Sequence, residues 1–234
     1  MKHYLVLFIL FCLYSICSLG QNWEGNLQDL HNEFRMLRAR DNMYEKIEGT
    51  PYLNNDFLNG SLITSDSLII KDVQLRYNIY LDQMEALLSG SADPRVVTSP
   101  RSFLYFQFNN RTFIYTSFLE NNNPKQGYFE LANRGKHQVL IRRNITYREA
   151  EEARGFSDPK PPRFIKRPDI YYIRYDRGLP EEIRLNRRNV LSAFDSNRDE
   201  IEDFVKNNNL SYRNGDDLVR IVEYHNQLLE KSNN

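Results

Sequence analysis

Val73-Gln74-Leu75-Arg76-Tyr77-Asn78-Ile79-Tyr80-Leu81 alternates apolar and polar side chains without a break. A period of two is the signature of a strand, whose successive side chains point to opposite faces. Val73, Leu75, Tyr77, Ile79 and Leu81 share the face meant for burial, while Gln74, Arg76, Asn78 and Tyr80 share a polar one. A single polar face suits an antiparallel sheet. A turn around Asp82-Gln83 then returns the chain through Met84, Ala86 and Leu88.

The same character extends over residues 51–157. Phe103 to Phe108 is apolar on both faces and reads as a central buried strand; Asn109-Asn110-Arg111 turns it into Thr112 to Phe118. Tyr128 to Ala132, the turn Asn133-Arg134-Gly135, and His137 to Ile145 predict another hairpin. Tyr147 to Gly155 is strongly charged and reads as a short helix or an exposed loop. Over 158–185, Asp158-Pro159-Lys160-Pro161-Pro162 is a stiff connector, because consecutive prolines fix φ and remove donors. It is expected to pass the chain across the sheet or between two lobes. Ile170 to Tyr175, a turn at Asp176-Arg177-Gly178, and Glu182 to Leu185 make a last hairpin.

Helical periodicity flanks this region. Within 21–50, Asn26 to Glu48 places Leu27, Leu30, Phe34 and Leu37 on one stripe, and Gly49-Thr50-Pro51 ends it. Within 186–234, Asn186 can cap a short helix holding Val190, Leu191 and Phe194. Asn197 and Glu200 resemble a capping box for a second helix with Ile201, Phe204 and Val205. Asn214 or Asp216 can start a third, with Leu218, Ile221, Val222, His225, Leu228 and Leu229 on a broad apolar face. The expected fold is α+β: an N-terminal helix, a curved antiparallel sheet (partial barrel or sandwich-like), and a C-terminal three-helix cluster.

Residues 1–20 carry the three parts of a secretory signal. Lys2 and His3 are positive, Tyr4 to Cys17 is almost wholly apolar, and Ser18-Leu19-Gly20 offers small residues before Gln21 as the new N-terminus. The rivals are a membrane anchor, for which the polar residues Gln21, Asn22 and Glu24 follow too early, and a lipoprotein signal with Cys17 lipidated, where bulky Ile16 is unfavourable. Cleavage takes Cys12 and Cys17 with it. A cysteine-free mature chain excludes a disulfide-stapled mini-domain, a zinc ribbon and a thiol nucleophile, and leaves no transmembrane helix.

Lysine plus arginine equal aspartate plus glutamate over the chain, yet the charges are unevenly placed. From Arg134 to Arg188 fifteen basic residues face eight acidic ones; from Asp195 to Glu230 four face nine. Pairing within the chain or plain solvation explains this more simply than an anionic partner, and nucleic acid is not expected for an exported protein.

No catalytic signature stands out. There is no Gly-x-Ser-x-Gly to lift a nucleophilic serine and no His-Glu-x-x-His to bind zinc. His31, His137 and His225 are far apart in sequence, and His225 reads as a core histidine of the last helix. Asp195-x-Asn197-x-Asp199 imitates half of a calcium loop, but Glu200 and Lys206 occupy its sixth and twelfth positions. The acidic pairs Asp82/Glu85, Glu151/Glu152, Glu181/Glu182 and Asp216/Asp217 sit in turns or element ends, where acids are ordinary. No catalytic residue, metal ligand or cofactor is therefore assigned. The candidate binding residues are Arg76, Asn78 and Tyr80, an Arg–aromatic face able to stack on a glycan, peptide or protein; cross-strand packing is the simpler explanation.

Ile47-Glu48-Gly49-Thr50-Pro51-Tyr52-Leu53-Asn54, with Phe57 and Gly60, then Leu75 to Tyr80, Asp158 to Pro162, Tyr171-Tyr172 and Val222-Glu223-Tyr224-His225-Asn226 resemble an uncharacterised family of secreted Bacteroidota proteins. The likeness spans about residues 44 to 229; the family more often has a second tyrosine near its end. It implies a periplasmic or envelope setting and no particular chemistry. The expected function is a non-catalytic exported protein with a binding or assembly role, its partner an envelope protein or a glycan. The alternatives are an extracytoplasmic hydrolase of glycan or peptide, and a carrier of an apolar ligand, suggested by Phe103, Phe106 and Phe108.

Overall fold

A computed structural model describes residues 36–37, 39–90, 93–121, 123–153 and 158–232. The signal-like segment and residues 26–35 of the expected N-terminal helix lie outside the described residues. What is described of that helix, here α1, is residues 36–37 and 39–44.

Ten strands form one open sheet: β1 (Leu58–Thr64), β2 (Ile69–Asn78), β3 (Gln83–Leu88), β4 (Arg95–Val96), β5 (Phe103–Phe108), β6 (Arg111–Glu120), β7 (Asn123–Leu131), β8 (His137–Arg142), β11 (Ile170–Tyr175) and β12 (Glu181–Ile183). Their order is β12-β11-β8-β7-β6-β5-β1-β2-β3-β4, with antiparallel pairing throughout. β9 (Ile145–Arg148) and β10 (Arg163–Lys166) make a separate antiparallel ribbon. The helices α2 (Arg187–Ser192), α3 (Arg198–Asn207) and α4 (Gly215–Ser232) follow. No helix among the described residues is long and apolar enough to cross a membrane.

Directly paired residues share a face of a sheet. The register therefore defines one row across seven strands: Leu62, Phe106, Phe113, Glu130, Ile141, Tyr171 and Ile183. At one end of the row Leu62, Phe106 and Phe113 pack with Leu75, Tyr77, Met84, Phe108 and Tyr128. At the other, Ile141 and Ile183 pack with Val190, Leu191, Ile201, Val205, Leu218, Ile221 and Val222 of α2–α4. Burial of each such side chain contributes about 1.5–3 kcal/mol, so apolar contact docks the helices on the sheet. Glu130 is the one charged member of the row and stands between the two apolar clusters.

Three local expectations change. β2 ends at Asn78, not at Leu81. The Asn78 side-chain oxygen accepts from the Leu81 amide at 3.0 Å, and Asp82 adopts φ +53°, so Tyr80 and Leu81 lie in the turn. The charged stretch from Tyr147 begins as strand: Arg148 and Tyr147 pair with Arg163 and Phe164 of β10, delivered by the proline connector. Exposed charges flank a two-stranded ribbon as readily as a helix, which hid it. Lastly, Asn197 makes no side-chain cap to α3, because it closes a 3₁₀ turn at φ −128°, ψ 32°. Asn186 does cap α2 through the Asn189 amide (2.9 Å), and Asn214 caps α4 through the Asp216 and Asp217 amides (2.8 and 3.1 Å).

Candidate functional site

The residues singled out on the polar face of β2 lie under cover. Arg76 is 8% and Asn78 0% exposed, whereas Tyr80 is half-exposed. Arg76 pairs in register with Glu85 of β3, which donates nothing and is itself fully buried. The Arg76 guanidinium donates to Glu85 Oε2 from Nε (3.0 Å) and Nη2 (2.7 Å), and to Asp41 Oδ2 of α1 (2.9 Å). Arg40 donates to Glu85 Oε1, and the Tyr52 hydroxyl donates to Asp41 Oδ1 at 2.6 Å. The Arg76 charge also rests over the Tyr52 and Phe57 rings, 3.9 and 4.4 Å from their centroids. Burial raises the Asp41 carboxyl, but the hydrogen bonds from Tyr52 and Arg76 outweigh it and hold the group below its ordinary value. This network fastens α1 to the sheet. Tyr80, by contrast, packs on Tyr147 and Phe164 of the β9–β10 ribbon at 6.2 and 5.3 Å. The three residues therefore form no common exposed patch.

Asp82 ties the β2–β3 turn to the middle of the sheet. It accepts from the Tyr77 hydroxyl (2.6 Å) and the Tyr128 amide of β7 (3.2 Å), and Arg142 of β8 lies 3.4 Å from its other oxygen. Burial pushes the Asp82 carboxyl above its ordinary range, despite those favourable partners. Strands far apart in sheet order are brought together here, so the sheet curls strongly.

A large concavity lies where the row meets its charged member. It is a cleft of about 930 Å³ between the β5–β6 and β7–β8 turns, β11 and the first turns of α4. On its floor Glu130, 9% exposed, accepts from Arg111 Nη1 through both oxygens (2.8 Å each) and from Arg143 Nε (3.0 Å). Arg143 Nη1 also donates to Asp169 at 2.6 Å. The rim carries Asn110, Arg134, Tyr171, Asp216 and Glu223. Burial raises the Tyr171 hydroxyl, with the Asp169 charge adding to the effect. Gly215 abuts the Tyr171 hydroxyl so closely that a Cβ there would collide with it. The wall is therefore set by a contact that admits only glycine.

α4 is held over this cleft by a clamp. The Asn226 side chain accepts from the His137 amide and donates to the His137 carbonyl, each at 2.8 Å, imitating a neighbouring strand. His225 stacks on His137, ring centroids 4.9 Å apart, with Nδ1 to Nδ1 at 3.1 Å. His225 is 3% exposed, and its Nε2 is buried beside Phe194 without a hydrogen-bond partner among the described residues. Burial lowers both imidazoles: His225 falls to about 4, and His137 is lowered by burial and then by Lys136. His225 is thus a core residue, but one that meets His137; His31 lies outside the described residues. Among the described residues no group of three or more His, Cys, Asp or Glu side chains could hold a metal ion.

Sequence reasoning missed Glu130, Arg111 and Arg143. One signal was present: a lone acid inside the apolar run Tyr128-Phe129-Glu130-Leu131. Of the acidic pairs, Asp82 and Glu85 diverge to separate networks, while Asp216 alone of the others reaches the cleft. The basic middle pairs with acids of the sheet region through Arg142–Asp82 and Arg143–Glu130, and beside the β9–β10 ribbon through Lys160–Glu151; Arg187–Glu202 reaches the acidic tail. Comparison of the chain with protein-family models, with curated proteins and with solved structures finds no match.

Proposed function

We propose that this is an exported, non-catalytic binding protein whose cleft beside α4 takes a polar, hydroxyl-rich ligand, a glycan in the envelope or extracellular space. One observation carries the proposal: both carboxylates of the cleft floor are held by arginines. Glu130 is gripped by Arg111 and Arg143, and Asp169 by Arg143. A general acid or base needs a carboxylate that can exchange its proton freely with substrate. A carboxylate bonded to guanidinium is instead a rigid pair of acceptor and donor groups, suited to the hydroxyls of a sugar. An apolar-ligand carrier would need open space over the aromatic face, where Phe106 and Phe113 pack against Tyr128 and Tyr77. The export setting rests on the residue 1–20 pattern and on the resemblance to secreted Bacteroidota proteins. We read the curled portion of the sheet as a partial barrel drawn in by Asp82, and α2–α4 as one helical cluster.

The test is a glycan array probed with the purified protein and with the double variant Asp216→Arg/Glu223→Arg, which alters two rim charges on α4. Retention of a defined glycan class by the wild type, lost in the variant, supports the proposal. Release of cleaved products from bound glycan would replace it with the hydrolase. Equal retention by both proteins would place binding elsewhere.

A further inference from the structure

β5 and β6 are in register only from Phe106↔Phe113 to Phe108↔Arg111, whereas β6 continues beside β7 as far as Glu120. The first residues of β5 therefore part from β6. They leave a gap of about 360 Å³, lined among others by Arg101, Tyr105, Thr116, Ser117, Gln126 and Arg174. The lining contains arginines and no acid.

Arg174 is the unusual member. It is half-buried, and among the described residues its hydrogen bonds go to a neutral amide: Nε donates to Gln138 Oε1 at 2.9 Å, and Nη2 donates to the same oxygen. Gln138 is its cross-strand neighbour, so the contact follows from the β8–β11 register. Arg40, Arg76, Arg142 and Arg143 are likewise largely buried, and each reaches a carboxylate. Arg174 reaches none among the described residues, and Nη1 makes no hydrogen bond there. Burial accordingly holds its guanidinium below the ordinary value, with the neighbouring Tyr105 opposing the shift. A second cation stands close by, for the Arg134 guanidinium lies 5.7 Å from the Tyr105 ring centroid. A half-buried guanidinium without a counter-charge among the described residues attracts an anion, and its planar fork matches an oxyanion.

We propose that the gap between β5 and β6 is a second binding site, for the carboxylate, phosphate or sulfate group of a small polar molecule. Arg174 supplies the charge, Arg101 stands at the rim, and the Thr116 hydroxyl, on the same face of the sheet as Arg174, supplies a further hydrogen bond. The lining of the gap has no residue in common with that of the α4 cleft, Arg134 alone standing near both, so the site stands whether or not that cleft binds a glycan.

Calorimetric titration of the full protein at low salt with glucuronate, glucose 6-phosphate, glucose 6-sulfate and glucose tests this. Binding of at least one anion, absence of glucose binding, and weakening as salt is added are expected; the anion that binds identifies the group. Arg174→Gln should weaken that binding at least tenfold. Arg101→Gln, at an exposed position remote from the core, should weaken it by a smaller factor and keeps the test valid if the first variant folds poorly. The proposal is overturned if no anion binds, if glucose binds as tightly, or if both variants bind like the wild type.

Discussion

Acid should loosen the clamp that holds α4. The His225 imidazole is 3% exposed, shares its Nδ1 with His137, and has its value lowered by burial from 6.5 to about 4. In the unfolded chain the same side chain takes up its proton near its ordinary value. A group lowered on folding stabilises the native state fully above the unfolded value and loses that contribution as pH falls towards the folded one. The window is therefore from about pH 6.5 down to about pH 4. At about 1.4 kcal/mol for each pH unit, this fall is worth about 3 kcal/mol. His137 is lowered as well and pushes in the same direction. Asp82, raised by burial, acts oppositely, since its neutral form is favoured in the fold. Comparing the wild type with His225→Leu cancels Asp82, because it is common to both. Urea unfolding at pH 7, 5.5 and 4 should show the wild type losing about 3 kcal/mol more than the variant. Parallel stability curves for the two proteins would refute the assignment.

Three substitutions probe other parts of the frame. Glu85→Gln leaves Arg40 and Arg76 without their common carboxylate in a buried network, and should cost about 3–5 kcal/mol by denaturant titration. Asn226→Ala removes two hydrogen bonds to the His137 backbone; about 1–3 kcal/mol should be lost, with faster amide exchange confined at first to α4 and the β7–β8 turn. Gly215→Ala should lower the melting temperature through its clash with the Tyr171 hydroxyl, and adding Tyr171→Phe should recover part of the loss.

Much of the sheet was legible because alternation is a local signal. Val73, Leu75 and Tyr77 are buried on one face of β2, as the period of two requires. The opposite face misled, since Gln74 is exposed while Arg76 and Asn78 are covered by α1 and the Tyr52 loop. A polar residue in a strand states only that it needs partners, and Arg76 finds them in Glu85 and Asp41. The hairpin register contained part of that answer, because a turn at residues 79–82 sets Arg76 opposite Glu85. β1 was harder to see, for Gly60 and a register shift interrupt its pattern. Gly60 is needed there because Gln107, Phe108 and Leu75 leave no room for a Cβ. The cleft was not legible at all. Arg111, Glu130, Arg143 and Asp169 come from four separate places and meet only once β6, β7 and β8 are paired. The His137–His225 contact spans 88 residues and depends on how α4 lies on β8.

The binding role of the α4 cleft is tested most directly by amide hydrogen exchange with and without the glycan retained on the array. Slower exchange should appear at residues 130–134 of β7 and its turn, and at 216–223 of α4, with little change along β9–β10. Protection confined to other segments, or none at saturating glycan, would contradict a binding site between Glu130 and Glu223.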